Sequence, residues 1–206
     1  KPVTCIIGGS KISTKIKIIS NLIKSFDNII IVGGMGNAML KNTGINIGKS
    51  VCDEGYKKLV EEILKESKNH GCQIYYPLDV VVSKELDGSG IIKEIDEVNS
   101  DEMILDIGPK TIASIKNIVE KSNTLLWNGP AGYFENPNFA NGTKKILEII
   151  ANKKSKDKIY AVAGGGETVA VINKFDKLDT FNFVSTAGGA FLEYLEGKEL
   201  TGIKAL

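Results

Sequence analysis

Short β-branched runs that stop abruptly in small residues recur along the whole chain. Val3–Ile7 leads into Gly8-Gly9, residues 29–32 into Gly33-Gly34, and Met103–Ile107 into Gly108-Pro109. The series continues with 124–127 into Asn128-Gly129-Pro130, 159–163 into Gly164-Gly165-Gly166, and 181–184 into Ser185-Thr186-Ala187-Gly188-Gly189. Between these runs the apolar residues fall at helical spacing. Ile12, Ile16, Ile19, Ile23 and Phe26 step by four and three, which predicts one amphipathic helix beginning at Ile12. Asp53 is placed as the N-cap of a helix carrying Tyr56, Leu59, Val60, Ile63 and Leu64 that stops at Gly71. Further helices are predicted over 110–120, 142–152 and 167–174. Strands alternating with helices imply an α/β fold, with parallel strands in a sheet covered on both faces.

Three stretches read differently. Residues 73–82 read as an extra strand bent or interrupted at Pro77, and 84–102 as a polar loop or small hairpin. The lysine-rich run 152–158 reads as a solvated helix end. No linker divides the chain, so 1–206 is read as one domain. Carboxyl ends of parallel strands share one edge, where open α/β sheets bind ligands. Most of the 22 glycines cluster in those strand-end loops, and six such loops converging on one edge point to a nucleotide or phosphate.

Composition narrows the chemistry. There are 26 basic and 25 acidic residues, a balance that argues against a nucleic-acid footprint. All 26 basic residues are lysine, which codon bias in a chain also rich in Ile and Asn explains, or which means that any anion is held by lysine, backbone N–H groups and helix ends instead of guanidinium forks. Cys5, Cys52, Cys72 and the lone His70 lack the spacing of a zinc site or disulfide framework, which fits a reducing, cytoplasmic setting. No apolar run is long enough for a bilayer and no signal peptide opens the chain. A first residue of Lys1 is read as processing, or as a piece of a longer protein.

Individual motifs keep two readings. Lys11 and Lys15, four apart after Gly8-Gly9, project from one face of the predicted first helical turn. They form a polyphosphate clamp there, or else two solvated surface lysines. Gly165, Gly166 and Thr168 open a helix whose N–H groups suit phosphate oxygens. Glu167 fits beside them through a cation such as Mg²⁺, or simply as an acidic residue in a first helical turn. The segment 44–50 is one residue too short for a Walker A loop and follows a helical stretch, leaving Lys49 on the surface. Gly34-Met35-Gly36 lacks the third small residue of the dinucleotide fingerprint, because Met39 stands there, which disfavours a nicotinamide dehydrogenase. In 127–135, Glu135 suits sugar hydroxyls and Tyr133 a base, or the aromatic residues are core.

Taken in order, GGSKISTK, GGMG, LDIGPKT, WNGPAGYFE, GGGETVA and STAGGAFLEYLEGKEL resemble the carboxy-terminal, nucleotide-binding half of the phosphoglycerate kinase family. The resemblance implies a three-layer α/β/α sandwich around a parallel six-stranded, Rossmann-like sheet. It implies reversible phosphoryl transfer between 1,3-bisphosphoglycerate and MgADP in glycolysis, by a cytoplasmic monomer. Under it, Lys11 neutralises the transferring phosphoryl group and Lys15 holds the α- and β-phosphates. Gly9, Gly33, Gly34, Leu105 and Tyr133 line the adenine slot. Asn128 and Pro130 position the phosphate and sugar region, and Glu135 binds the ribose. Gly165, Gly166 and Thr168 cradle the terminal phosphates, Glu167 reaches Mg²⁺, and Gly188 and Gly189 donate N–H groups to the migrating phosphoryl. The chain departs from the pattern at Glu167, where the family usually has Asp, at Val32 and Ala187, commonly Gly, and at Tyr133, usually aliphatic. The family's acyl-phosphate site lies on an amino-terminal domain absent from this chain, which also lacks the few residues that usually follow Leu206. The isolated half is therefore expected to bind ATP or ADP with negligible turnover. A non-catalytic nucleotide-binding or interaction module of the same fold is the alternative.

Overall fold

Strands β1 (Val3–Ile7) and β2 (Asn28–Ile31) pair in parallel, Cys5 opposite Ile29 and Ile7 opposite Ile31. Strand β3 (Gln73–Tyr75) extends the sheet beyond β2. Two strands of the second sheet then begin the excursion, β4 (Asp79–Ser83) and β5 (Ile91–Glu94), followed by β6 (Met103–Ile107). The main sheet resumes on the other side of β1 with β7 (Thr124–Asn128), β8 (Tyr160–Gly164) and β9 (Phe183–Ser185). Its order is β3-β2-β1-β7-β8-β9, parallel throughout. The computed structural model that gives this arrangement describes residues 1–156 and 158–205.

Helices cover both faces, as the alternation requires. The helices are α1 (Ile16–Ile23), α2 (Gly34–Asn42), α3 (Tyr56–His70), α4 (Pro109–Lys121), α5 (Asn141–Lys154), α6 (Gly166–Lys174), α7 (Gly189–Leu195) and the short α8 (Thr201–Lys204). Successive strand residues point to opposite faces. Ile6, Ile30, Leu125 and Trp127 meet α4, α5 and α6 through Ile115, Val119, Ile146, Ile150, Val171 and Ile172. Cys5, Ile7, Ile29, Ile31 and Leu126 meet α1, α2, α3 and α7 through Ile19, Met35, Val60 and Leu195. This is the three-layer sandwich that the resemblance implies.

The six strands are not the six named from sequence. Met103–Ile107 pairs antiparallel with β4 in a separate three-stranded sheet, order β5-β4-β6, and Gln73–Tyr75 takes the sixth place in the main sheet. The break at Pro77 is therefore a change of sheet, and 84–102 contains a real strand. The segment 44–50 braces this second sheet. Gly48 bridges Met103, and Ser50 Oγ accepts from the Ile104 N–H at 2.7 Å, while Lys49 is exposed as read.

Two local assignments are corrected by their partners. Asp53 does not cap α3; Gly55 precedes it, and the Asp53 carboxylate accepts from the Ser13 N–H and hydroxyl at 3.1 and 2.9 Å. The run 152–158, of which residue 157 lies outside the described residues, is not wholly solvated. Lys153 is 3 % exposed and donates to the carbonyls of Val119 (2.7 Å), Glu120 (2.6 Å) and Ser122, at the carboxyl end of α4. Its ammonium satisfies orphan carbonyls and meets the negative end of that helix. Lys153→Met should cost roughly 2–3 kcal/mol in urea denaturation, since it leaves buried carbonyls without donors.

Candidate functional site

The direction of chain winding reverses between β1 and β7, so their carboxyl ends flank the crevice in which open α/β sheets take ligands. The two loops there touch backbone to backbone. A Cβ on Gly8 would lie 2.0 Å from the Pro130 carbonyl oxygen. Gly129 has φ +99°, and a Cβ on it would lie 2.2 Å from the Gly8 oxygen. Only glycine at both positions permits this seam.

Side chains lock the seam to its neighbours. Lys15 Nζ donates to the Gly8 carbonyl at 2.7 Å and to Asn128 Oδ1 at 2.5 Å. Asn128 Nδ2 in turn donates to the Gly164 carbonyl at 2.6 Å, tying the ends of β1, β7 and β8 together. The Thr168 hydroxyl, buried, accepts from the Gly129 N–H at 2.6 Å, and the Trp127 indole N–H donates to the Gly129 carbonyl at 2.9 Å. Burial pulls the Lys15 ammonium below its ordinary value, and the Glu167 carboxylate partly restores it. Two of the three Lys15 donors are committed, leaving one for a ligand.

Lys11 and Lys15 do not share a helical face. Residues Ile12–Thr14 form a single 3-10 turn, and α1 starts only at Ile16. Lys11 precedes that turn in extended backbone, exposed, while Lys15 folds inward onto Asn128. The Lys11 ammonium has no hydrogen-bond or ion-pair partner among the described residues.

Next to the seam opens a cleft of ≈ 280 Å³. Gly9, Gly33 and Gly34 form one side, Leu105 and its neighbours on β6 the opposite one, and Pro130, Tyr133 and Glu135 the loop between. Glu167 reaches its rim, so eight of the residues singled out from sequence meet around one space. Asn128, Lys15 and Thr168 sit behind the seam. Gly165 and Gly166 open α6, where the N–H groups of Gly166, Glu167 and Thr168 precede the first intrahelical bond, from Val169 to Gly165. Gly188 and Gly189 begin α7 at the end of β9, on the same sheet edge, with open space around both. Lys11 does not line the cleft. Tyr133 is 39 % exposed, which makes it a wall and not core.

Sequence reasoning passed over three residues. Asp106 is 2 % exposed at the cleft; one oxygen accepts from the Gly142 N–H at 2.7 Å, the other from the Ile107 N–H at 2.9 Å. Burial pushes this carboxyl up to about 7, against the downward pull of those two N–H groups. A charged residue inside the apolar run Met-Ile-Leu-Asp-Ile was the available signal. Thr143 Oγ1 accepts from the Ala131 N–H at 3.0 Å and so holds the loop that carries Tyr133. Asn37, 3 % exposed, lies in the cleft wall on α2. Among the described residues no group of three or more His, Cys, Asp or Glu is placed to hold a metal ion, and no helix is long and apolar enough to cross a membrane.

Comparison with known proteins identifies the family. The phosphoglycerate kinase family profile matches residues 1–198. Phosphoglycerate kinase of Zymomonas mobilis is 44 % identical over 207 residues, covering 100 % of this chain and 52 % of that protein. The Francisella philomiragia phosphoglycerate kinase is 45 % identical over 208 residues, with the same coverage. The solved phosphoglycerate kinase of Coxiella burnetii superposes with a TM-score of 0.93 at 40 % identity, over 99 % of this chain and 52 % of that one. That of Pyrococcus horikoshii gives 0.84 at 29 % identity. The chain spans about half the length of the curated relatives it matches. A profile match over residues 1–198 and a shared fold along nearly the whole chain place this protein in the phosphoglycerate kinase family.

Proposed function

We propose that this chain is the nucleotide-binding half of a phosphoglycerate kinase, acting in reversible phosphoryl transfer between 1,3-bisphosphoglycerate and ADP. The observation that carries the reading is the seam at β1 and β7, where an apolar slot, a lysine with one donor uncommitted and the free N–H groups of α6 adjoin. The slot suits a flat base, with Gly9, Gly33, Gly34 and Leu105 at its sides and Tyr133 against the ring. Glu135, exposed at the mouth, accepts from ribose hydroxyls. Asn128 and Pro130 fix the path to the phosphates, and Lys15 offers its third N–H there. The start of α6 receives the terminal phosphates on backbone N–H groups, with the helix dipole favouring their charge.

The donor set at α6 fits Mg²⁺. Glu167, at the rim, is the carboxylate that would hold it, with phosphate and water oxygens as the remaining ligands. When bound, Mg²⁺ supplies charge neutralisation on the phosphate oxygens. Phosphoryl transfer asks for positioning and electrostatic stabilisation more than covalent catalysis. Lys11, without a partner among the described residues and outside the slot, is a free cation for the group in transit, and Gly188 and Gly189 add N–H donors. The acyl phosphate is held by the amino-terminal half of the kinase, so this chain alone binds nucleotide without turnover. As part of the whole kinase it would work as a cytoplasmic monomer in glycolysis, as the family resemblance implies.

The test joins the chain to the amino-terminal half of a relative and follows ATP formation in a coupled assay. The fusion should turn over, the chain alone should not, and Lys11→Ala should lower kcat of the fusion about a hundredfold. Nucleotide binding without turnover in a correctly folded fusion would favour the non-catalytic module.

A further inference from the structure

We infer that Asp53 is a positioning residue for Lys11: its carboxylate supplies from a distance the helix cap that a lysine at the cap position cannot provide, and so fixes where the Lys11 side chain leaves the backbone. The inference rests on the phosphoryl-transfer reading above and adds to it a residue that acts only through Lys11.

The need arises from the residue type at position 11. Lys11 stands immediately before the turn Ile12–Thr14, in the extended backbone of an N-cap, with φ −135° and ψ 132°. A serine, threonine, aspartate or asparagine at such a place accepts from the orphan N–H of the second or third residue of the turn. A lysine ammonium only donates, and Lys11 makes no side-chain cap bond. The inner side of the turn is secured by the buried Ile12, and the Thr14 hydroxyl closes it by donating to the Lys11 carbonyl at 2.7 Å. Its outer side depends on Asp53. One carboxylate oxygen accepts from the N–H of Ser13, the second residue of the turn, at 3.1 Å, and the other from the Ser13 hydroxyl at 2.9 Å.

Asp53 is itself held on both sides. The Val51 carbonyl accepts from Asn37 Nδ2 on α2 at 3.1 Å, and the Tyr56 N–H, at the start of α3, donates to the Asp53 carbonyl at 3.4 Å. Met35 and Ala38 of α2, Val60 and Ile63 of α3, and Ile12 itself share one core. The carboxylate therefore ties the exposed side of the Lys11 turn to the same packed body that holds its buried side. A cation that stabilises a group in transit acts through its placement, and small misplacements cost large factors in rate.

Steady-state ATP formation by the fusion of this chain with the amino-terminal half of a relative tests it. Asp53→Ala should lower kcat about tenfold while KM for MgADP stays within about twofold. Asp53→Asn, whose amide accepts from the Ser13 N–H and donates to its hydroxyl oxygen, should stay within about threefold of wild type. Ser13→Ala, which keeps the N–H and loses the hydroxyl, should lower kcat about threefold. The decisive arm is the double variant. In a Lys11→Ala background, Asp53→Ala should change kcat by less than about twofold, because the cation it places is gone. If Asp53→Ala shows no cooperative thermal transition, Asp53→Asn and Ser13→Ala, each alone and with Lys11→Ala, decide on the same terms. Losses that multiply in the double variant, or an unchanged kcat in folded Asp53→Ala, overturn the inference and leave the phosphoryl-transfer reading standing. An unchanged kcat in Lys11→Ala itself overturns both.

Discussion

Gly8→Ala is expected to destabilise the chain by about 3 kcal/mol and to abolish nucleotide binding in whatever fraction remains folded. The added methyl would meet the Pro130 oxygen at 2.0 Å, with the Gly129 oxygen and carbon at 2.8 and 2.9 Å. All three atoms are backbone, so no rotamer change relieves the contact. The loop after β7 must move outward by more than 1 Å to reach ordinary contact distance. That displacement pulls Asn128 from Lys15 and Gly129 from Thr168, the bonds that hold three strand ends in register. Urea denaturation and MgADP titration read the two effects separately. An Ala variant with unchanged midpoint and unchanged affinity would show that the seam yields freely and does not set the site.

The second large effect is a pH dependence seated at Asp106. Its carboxyl is pushed up to about 7 in the fold, while in the unfolded chain it titrates near 4. Between those values the native state carries the extra proton, so stability must fall as pH rises. The contribution is fully present below about pH 4 and is lost as pH passes 7, at a slope of up to roughly 1.4 kcal/mol per pH unit. The carboxylates of Asp27, Asp101 and Glu102 are held below their ordinary range, so their contributions change only at lower pH. Denaturation of wild type and Asp106→Asn between pH 5 and 8 isolates the group. Wild type should lose on the order of 3 kcal/mol relative to the variant across that range. Parallel curves for the two would place the titration elsewhere.

Much of the site was legible because its signals are local. A β-branched run ending in glycine marks a strand and its loop without knowledge of the rest of the chain, and Gly9, Gly33, Gly34 and Pro130, so marked, surround one cleft with Leu105, Tyr133, Glu135 and Glu167, which the motifs and the resemblance named. What failed was whatever depended on a distant partner. Met103–Ile107 has the look of a parallel core strand, yet apolar content does not say which sheet a strand joins. Pro77 announced a break but not that β3 and β4 part company there. Four-residue spacing put Lys11 and Lys15 on one helical face, whereas Asp53 holds Ser13 in a turn and Asn128 draws Lys15 inward. Asp106 is explained by Gly142, 36 residues further on, and Lys153 by the end of a different helix. The absence of arginine, which codon bias alone explains equally well, gained meaning only beside the lysine and glycine motifs. Every cation at this edge is lysine, and no guanidinium stands among the donors beside it.

The central claim is that the cleft beside the β1–β7 seam holds a nucleoside diphosphate, with its phosphates at the start of α6. Calorimetric titration of this chain with MgADP, repeated on Gly166→Pro, tests it most directly, because proline removes one N–H at the first position of α6 where it suits the helix. Saturable 1:1 binding by the wild type, weakened about tenfold in the variant while the thermal transition is kept, is the expected result. Wild-type binding that the variant leaves unchanged would contradict the placement of the phosphates, and absence of binding by the folded wild type would contradict the claim itself.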